Sequence, residues 1–311
     1  MARIIFMGTP EFAVPVLDAL TQTNHKIVGV YTRPDKPAGR GNQLQSSPIK
    51  RLAESRDLAI FQPPTLRKPE TVAELRYLAP DVIIVAAYGL LLPPDILAIP
   101  PRGCVNTHAS LLPKYRGAAP ISAAILNGDP ETGITLMQME AGLDTGPILA
   151  QCAVPIGDED TTATLTTKLA SNAAGLVIEY LPRLLAGEIT PQPQDSARAT
   201  MVKTIRKEQG LIDWTQSAVE ISRRVRAFNP WPSAFTFWNG AQLKILSAHP
   251  SVQVIAGEPG QVIAWGKEIG VATGDGLLAL REIQLAGKRA LKIEEFVRGQ
   301  KEFVGAILRN S

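Results

Sequence analysis

An apolar run at residues 81–87, Asp-Val-Ile-Ile-Val-Ala-Ala, constrains the fold of this chain more than any other feature. It has no polar alternation, which is typical of a strand buried on both faces in a parallel sheet. Further strands are predicted at 3–7 and 26–32, with a helix between them that has Thr9 as its N-cap and Pro10 at its first position. This alternation predicts an α/β domain with a Rossmann-like, open, mostly parallel sheet.

The second half of the chain has a different character. After a long amphipathic helix predicted at 160–185, the stretch 189–199 is rich in Pro and Gln and is typical of a linker. Short alternating strands follow, with a hairpin signal at Asn239-Gly240, and about five of them fit a small OB-like β-barrel. We therefore expect a Rossmann-like domain at 1–188, a linker at 189–208 and a barrel domain at 209–311.

The composition excludes several classes of protein. The two cysteines, Cys104 and Cys152, lie in apolar runs, so buried free thiols are favoured over a disulfide or a metal site. The N-terminus lacks the features of a signal peptide, and the apolar runs are too short to span a bilayer. We expect a cytoplasmic protein without a metal, and nothing in the sequence demands more than a monomer.

The net charge of +3 is small, but its distribution is uneven. Residues 32–51 carry five basic side chains against Asp35 alone, and residues 200–226 carry six against three acidic ones. The two segments could line a groove for a phosphate backbone, or they could be ordinary solvated surfaces. The Pro- and Gly-rich stretch 33–48 is predicted to be a long loop, and a loop of that length is usually functional.

Polar residues mark the end of the strand predicted at 102–108. Asn106 and His108 project to the same side of that strand, at the carboxyl end where open α/β sheets bind ligands. Asp144 follows in a Gly-rich turn, Gly-Leu-Asp-Thr-Gly, at 142–146. We therefore treat the amide, the imidazole and the carboxylate as one candidate site.

The chemistry of this trio is that of acyl transfer to an amine or to water. A neutral imidazole can accept a proton from the nucleophile, and a carboxylate beside it would fix its tautomer and stabilise its charged form. An Asn side-chain N–H can stabilise the oxyanion of a tetrahedral intermediate. Alternatively, both strand residues could simply hydrogen-bond a loop. A covalent mechanism through Cys104 is another alternative, but the trio requires no nucleophile of its own.

Two neighbouring segments have weaker signals. Residues 110–113, Ser-Leu-Leu-Pro, could be a packed turn or a rigid backbone wall that holds a flat heterocycle. Residues 8–12, Gly-Thr-Pro-Glu-Phe, occupy the position of a dinucleotide-binding fingerprint but lack its second glycine. A nicotinamide cofactor is therefore not supported.

Longer motifs extend the assignment. The run Asn-Thr-His-Ala-Ser-Leu-Leu-Pro at 106–113, followed by Arg-Gly-Ala-Ala-Pro-Ile at 116–121, resembles the signature of the folate-dependent formyltransferases. Residues 142–146 match the second motif of that family. Within the family, the branch that acts on methionyl-tRNA is similar in five further segments: 5–10, 37–41, 86–89, 212–214 and 226–232. The resemblance covers essentially the whole chain.

The resemblance implies a donor, an acceptor and a set of site residues. The donor is 10-formyltetrahydrofolate, and the acceptor is the α-amino group of methionyl initiator tRNA, formylated for translation initiation. The implied catalytic residues are Asn106, His108 and Asp144. Folate contacts are implied for Ser110, Leu111, Leu112 and Pro113, and tRNA contacts for Arg33, Lys36, Arg40, Lys203, Arg206 and Lys207. No metal is implied.

One departure and three alternatives accompany this resemblance. The loop after Gly41 reads Asn-Gln-Leu-Gln-Ser where family members often carry lysines, so we expect fewer phosphate contacts and a weaker dependence of binding on salt. A formyltransferase for a small amine, or a hydrolase of formyl-folate, would keep the same trio. A non-catalytic RNA-binding protein would use only the barrel and the basic segments, and it would tolerate the loss of His108.

Overall fold

The structure, a computed structural model, describes residues 1–38, 43–253, 255 and 257–310. The chain forms two compact units. The first unit consists of Met1–Pro120, Glu131–Pro155 and Thr166–Val202, and the second of Ile121–Pro130, Ile156–Leu165 and Lys203–Ser311. The units therefore alternate along the chain, and the boundaries expected at 188 and 208 stay predictions.

The first unit is built on a seven-stranded sheet. The strands of this unit, in chain order, are β1 (Arg3–Gly8), β2 (Lys26–Tyr31), β3 (Lys36–Ala38), β4 (Gln43–Gln45), β5 (Ile60–Phe61), β6 (Val82–Ala86), β7 (Cys104–His108), β8 (Arg116–Gly117), β9 (Glu131–Gln138), β10 (Ile148–Pro155) and β11 (Met201–Val202). The sheet has the order β10-β9-β7-β6-β1-β2-β5. Its strands are parallel from β5 to β7, while β9 and β10 run antiparallel to their neighbours. The prediction of a Rossmann-like, mostly parallel sheet is confirmed.

The described part of the chain also contains eight α-helices, which are distributed over both units. They are α1 (Val14–Thr21), α2 (Pro48–Ser55), α3 (Pro69–Tyr77), α4 (Pro94–Leu97), α5 (Pro120–Asn127), α6 (Thr162–Ala186), α7 (Ala218–Ala227) and α8 (Ile293–Gly299). The strand β6 is buried along its whole length, as its unbroken apolar run predicts. None of the helices in the described part of the chain has both the length and the apolar character that a bilayer crossing requires.

Two local predictions in the first unit are wrong. Thr9 does not cap a helix, because its hydroxyl donates to the Tyr88 carbonyl oxygen at 2.9 Å and lies 3.4 Å from the Arg33 backbone nitrogen. Residues 11–13 form one 3-10 turn instead, and α1 begins at Val14. The stretch 33–48 is not loop throughout, since β3 and β4 pair as an antiparallel ribbon.

The second unit contains an antiparallel sheet of six strands, against about five expected from the sequence. The strands are β12 (Ala234–Trp238), β13 (Ala241–Ser251), β14 (Val262–Trp265), β15 (Glu268–Ala272), β16 (Leu277–Leu285) and β17 (Leu291–Lys292). Asn239 and Gly240 both have positive φ, 49° and 73°, as the predicted hairpin turn requires. Residues near the C-terminus bridge both edges of the sheet, Arg309 to Phe237 and Ile307 to Gln261. This closure agrees with the predicted OB-like barrel.

Candidate active site

The strand β7 carries two of the predicted site residues at its carboxyl end. In the first unit it lies between β6 and β9, with Asn106 opposite Val85 on one side and Met137 on the other. Strand alternation places Asn106 and His108 on the same face. His108 is 6% exposed and Asn106 is half-buried, so the sheet brings both into a mostly dry environment.

The imidazole of His108 is held in one tautomer by the backbone. Its Nε2 lies 2.9 Å from the carbonyl oxygen of Tyr115. A carbonyl oxygen can only accept, so Nε2 carries the proton and donates it. In the neutral ring the free lone pair is therefore on Nδ1, and Nδ1 lies 3.6 Å from Oδ2 of Asp144. The basic nitrogen of His108 thus faces a carboxylate.

Asp144 is fixed from two directions. Its Oδ2 accepts a hydrogen bond from the Gly117 backbone N–H at 2.8 Å, and its backbone carbonyl accepts one from the Gln194 side chain at 2.9 Å. The residue has φ of 53°, a left-handed conformation that Asp tolerates better than most residues. With its side chain 14% exposed, the carboxylate is well placed to stabilise a positive charge on His108.

The amide of Asn106 is available to a ligand. Among the described residues none hydrogen-bonds this side chain, although its neighbour Thr107 donates to the Val85 carbonyl oxygen. A half-buried, uncommitted N–H is the kind of donor that oxyanion stabilisation requires. Of the predicted catalytic trio, the structure therefore pairs His108 with Asp144 and places Asn106 on the same strand face as His108.

The stretch of residues 110–113 is rigid. Ser110 is fully buried, and its hydroxyl donates to the Lys114 carbonyl oxygen at 2.6 Å. Thr135 donates to the Ser110 carbonyl oxygen and accepts from the Leu112 backbone N–H, while Leu111 and Pro113 are half-buried. A contact between these four residues and folate stays a prediction.

Neither nearby nucleophile suits a covalent mechanism. Burial raises the pKa of Cys104 to about 12, which keeps the thiol protonated and unreactive. The Ser110 hydroxyl is committed to a backbone carbonyl and has no exposed surface. The groups that the site offers are therefore those of general acid–base chemistry.

Two basic residues of the segment 32–51 are paired with carboxylates. Lys50 pairs with Asp35 at 2.5 Å, and Arg51 pairs with Glu11. Of the predicted contacts in this segment, Arg33 is half-buried, Lys36 is exposed, and Arg40 lies outside the described residues. The three contacts predicted in the second unit are all exposed, and we call them the basic cluster: Lys203, Arg206 and Lys207.

Sequence reasoning missed three groups that shape the site. These are the Tyr115 carbonyl, the Gly117 N–H and the Gln194 side chain. The first two are backbone groups, which every residue has, so no residue type signals them. Gln194 lies in a stretch whose Pro and Gln content is typical of a linker.

The fold and the site together define an enzyme of acyl-group transfer. A Rossmann-like sheet presents an amide and an imidazole at the end of a central strand, a carboxylate from a separate turn faces the imidazole, and no covalent nucleophile is needed. Comparison with protein families narrows the class further. The Formyl transferase family matches residues 2–181, and the Formyl transferase, C-terminal domain family matches residues 204–301. The chain belongs to the formyl transferase family, as its motifs predict.

Relatives and solved structures agree with this membership. The chain is 48% identical over 295 residues to the methionyl-tRNA formyltransferase of Methylococcus capsulatus, which covers 95% of this chain and 96% of that protein. It is also 48% identical over 309 residues to the methionyl-tRNA formyltransferase of Dehalococcoides mccartyi, with 98% of each chain covered.

More distant solved structures share the fold. An N-formyltransferase from Helicobacter canadensis, in complex with folinic acid and dTDP-3-aminofucose, has a TM-score of 0.69 at 20% identity and covers 93% of this chain and 100% of that one. HypX from Aquifex aeolicus, in complex with tetrahydrofolic acid, has a TM-score of 0.65 at 20% identity and covers 98% of this chain. The chain spans 48% of that HypX chain, about half its length.

Proposed function

We propose that this chain transfers a formyl group from 10-formyltetrahydrofolate to the α-amino group of methionyl initiator tRNA, for translation initiation. The chemistry is supported by one observation above all: the basic Nδ1 of His108 faces Asp144 while Nε2 is held by Tyr115. The acceptor is supported by the relatives named methionyl-tRNA formyltransferase, which are 45% to 49% identical over nearly the whole chain.

The proposed reaction begins with the uncharged amine. Its lone pair attacks the formyl carbon, a C–N bond forms, and the carbonyl electron pair moves to the oxygen. The Asn106 N–H stabilises this oxyanion, an effect worth about 3 to 4 kcal/mol for one donor. Nδ1 of His108 accepts the amine proton, and Asp144 stabilises the resulting imidazolium. On collapse the C–N10 bond breaks, and the same proton passes to N10 of the leaving tetrahydrofolate.

Folate contact is proposed for the four residues 110–113. They follow β7 and His108 closely in the chain, and hydrogen bonds between their backbone and the Thr135 side chain hold them in place. A rigid, largely apolar surface beside polar catalytic groups suits a flat heterocycle. Solved structures of the same fold were determined with tetrahydrofolic acid or folinic acid bound, which agrees with a folate-type donor.

Contact with tRNA is proposed for the basic cluster and for the segment that contains Arg33, Lys36 and Arg40. The cluster is exposed, and exposed Lys and Arg side chains neutralise backbone phosphates. The basic residues that are already paired, Lys50 and Arg51, are the less suitable candidates.

The test is formyl transfer from 10-formyltetrahydrofolate to charged methionyl initiator tRNA, with uncharged tRNA and a small amine as controls. We expect product with the charged tRNA only. The variant His108→Ala should cut the single-turnover rate by orders of magnitude and leave tRNA affinity nearly unchanged, because it removes the base and no RNA contact. Folate turnover with the small amine or with water, but not with the charged tRNA, would overturn the proposed acceptor. Near-normal turnover by His108→Ala would overturn the role of the imidazole.

A further inference from the structure

Gln194 lies in the stretch predicted to be a linker, yet its side chain uses its full hydrogen-bonding capacity inside the first unit. Its Oε1 accepts from Nε of Arg116 at 3.0 Å and from Nη2 at 2.8 Å. Its Nε2 donates to the carbonyl oxygens of Asp144 at 2.9 Å and Gly146 at 2.7 Å. A surface linker residue has no need of four such contacts.

Arg116 anchors this amide. It is only 6% exposed, and burying a guanidinium is costly unless its N–H groups are satisfied. Two of its N–H groups form a fork that converges on the single oxygen Oε1 of Gln194 and fixes the position of that oxygen. The amide therefore points its own N–H groups in one direction, at the turn that carries Asp144.

The same part of the chain also supports the segment 115–118. The Tyr115 backbone N–H donates to the Thr200 hydroxyl at 2.8 Å, and that of Arg116 donates to the Thr200 carbonyl oxygen at 2.8 Å. The Ala118 N–H donates to the Val202 carbonyl oxygen, and β8 pairs with β11. This segment supplies the carbonyl that holds His108 and the N–H that holds Asp144. Residues 194–202 thus lie behind both groups of the acid–base pair.

The turn that carries Asp144 needs such support. Residues 140–143 are exposed, and Asp144 itself has a left-handed φ of 53°. Without Gln194, the carbonyls of Asp144 and Gly146 would lose their only side-chain donor among the described residues. A shift of the turn would change the distance of 3.6 Å between the Asp144 carboxylate and Nδ1 of His108.

We infer that Gln194, oriented by Arg116, is a positioning residue of the reaction: it holds the backbone of Asp144 so that the carboxylate faces Nδ1 of His108. This role rests on the proposed function. Gln194 acts through Asp144 and touches no reacting atom, so its loss affects the chemical step and leaves substrate binding intact.

The most selective variant is Gln194→Glu in the full chain. It keeps the size of the side chain and an acceptor for Arg116, but it replaces the donating amide by an oxygen that faces two carbonyl oxygens. We expect kcat for formyl transfer to methionyl-tRNA to fall about 10- to 100-fold, because small misplacements of catalytic groups have effects of that size. KM for the donor and for the acceptor should stay within about twofold.

Gln192→Ala is the matched control. Gln192 is exposed and lies two residues away, and among the described residues its side chain donates only to the Thr190 carbonyl oxygen, at 3.4 Å. Its kinetics should equal those of the unsubstituted chain. A second variant, Arg116→Lys, removes the fork and should show a similar loss of kcat if the orientation of Gln194 matters.

Combination with Asp144→Asn separates positioning from general damage. If Gln194 acts through the carboxylate, Gln194→Glu added to Asp144→Asn should cause little further loss of kcat. Losses that simply multiply would overturn the inference, as would a Gln194→Glu variant whose kcat stays within about twofold of the unsubstituted chain.

Hydrogen exchange tests the positioning role without turnover, so its outcome does not depend on which molecule accepts the formyl group. The Gly117 amide donates to Asp144 Oδ2, so its hydrogen exchange should be faster in Gln194→Glu and unchanged in Gln192→Ala. Unchanged protection of Gly117 in Gln194→Glu would refute the positioning role. If the unsubstituted chain does not formylate methionyl-tRNA, the proposed function fails, and this exchange experiment still decides on Gln194.

Discussion

Replacing the carboxylate of Asp144 by an amide tests the electrostatic centre of the site. Oδ2 lies 3.6 Å from Nδ1 of His108, and the two side chains are 14% and 6% exposed. At that distance, the attraction between a carboxylate and an imidazolium is about 5 kcal/mol at an effective dielectric constant of about 20, and about 1 kcal/mol in water. Asp144→Asn removes this attraction in the protonated state alone.

The expected loss of rate follows directly. The lost attraction raises the activation free energy of the step in which His108 becomes charged. Each 1.4 kcal/mol of this increase lowers the rate about tenfold. We therefore expect Asp144→Asn to lower the single-turnover rate of formyl transfer about tenfold to a few thousandfold. Asn is the right replacement, because it can still accept from the Gly117 N–H and it tolerates the positive φ. Asp144→Ala would add backbone strain at this positive φ, so a loss of rate could not be assigned to the lost charge alone.

The assay is single-turnover transfer from 10-formyltetrahydrofolate with saturating enzyme, alongside thermal unfolding of each variant. Glu140→Gln is the control for a general change of charge, since Glu140 is exposed near the same turn. It should transfer formyl groups at the normal rate. An Asp144→Asn variant that folds normally and keeps a rate within about twofold of the unsubstituted chain would refute the electrostatic role.

Three further predictions concern other parts of the molecule. Asn106→Ala should lower the single-turnover rate about 10²- to 10³-fold without weakening substrate binding, because it removes one oxyanion donor; unchanged turnover would contradict that role. Alanine at all three positions of the basic cluster should reduce the slope of log Kd for tRNA against log salt by about 0.7 to 0.9 per lost phosphate contact, and an unchanged slope would exclude the cluster from the interface. Cys104 should resist alkylation at pH 8 in the native chain, because burial raises its pKa to about 12, and it should react in urea. The extent of labelling is measured by mass spectrometry, with the partly exposed Cys152 as the reference, and rapid labelling of Cys104 in the native chain would contradict its burial.

The parts of the structure that depend on local pattern could be predicted from the sequence. The strand β6 follows from its unbroken apolar run, and the placement of Asn106 and His108 on one face follows from the two-residue period of a strand. The hairpin at Asn239 follows from the positive φ that Asn and Gly tolerate. Each of these depends on residues that are neighbours in sequence.

Motifs predicted one long-range contact, that of His108 with Asp144, but other long-range contacts could not be predicted. Thr9 has the side chain of a good N-cap, but its hydroxyl donates to Tyr88, which is 79 residues away. Gln194 meets Asp144 across 50 residues, and nothing in a Pro- and Gln-rich stretch identifies that partner. The carbonyl of Tyr115 sets the tautomer of His108, but only the fold shows which of many carbonyls lies beside the ring.

The fixed tautomer of His108 also limits the chemistry that the site can perform. Because Nε2 donates to the Tyr115 carbonyl, a proton cannot enter the ring at one nitrogen and leave at the other. The proton that Nδ1 accepts must leave from Nδ1. This restriction suits a reaction in which the attacking and the departing nitrogen are bonded to the same carbon, since one ring nitrogen can then serve both in turn. Formyl transfer from one nitrogen to another meets that condition, and in the proposed reaction the Asp144 carboxylate, 3.6 Å from Nδ1, stabilises the charge between the two proton transfers.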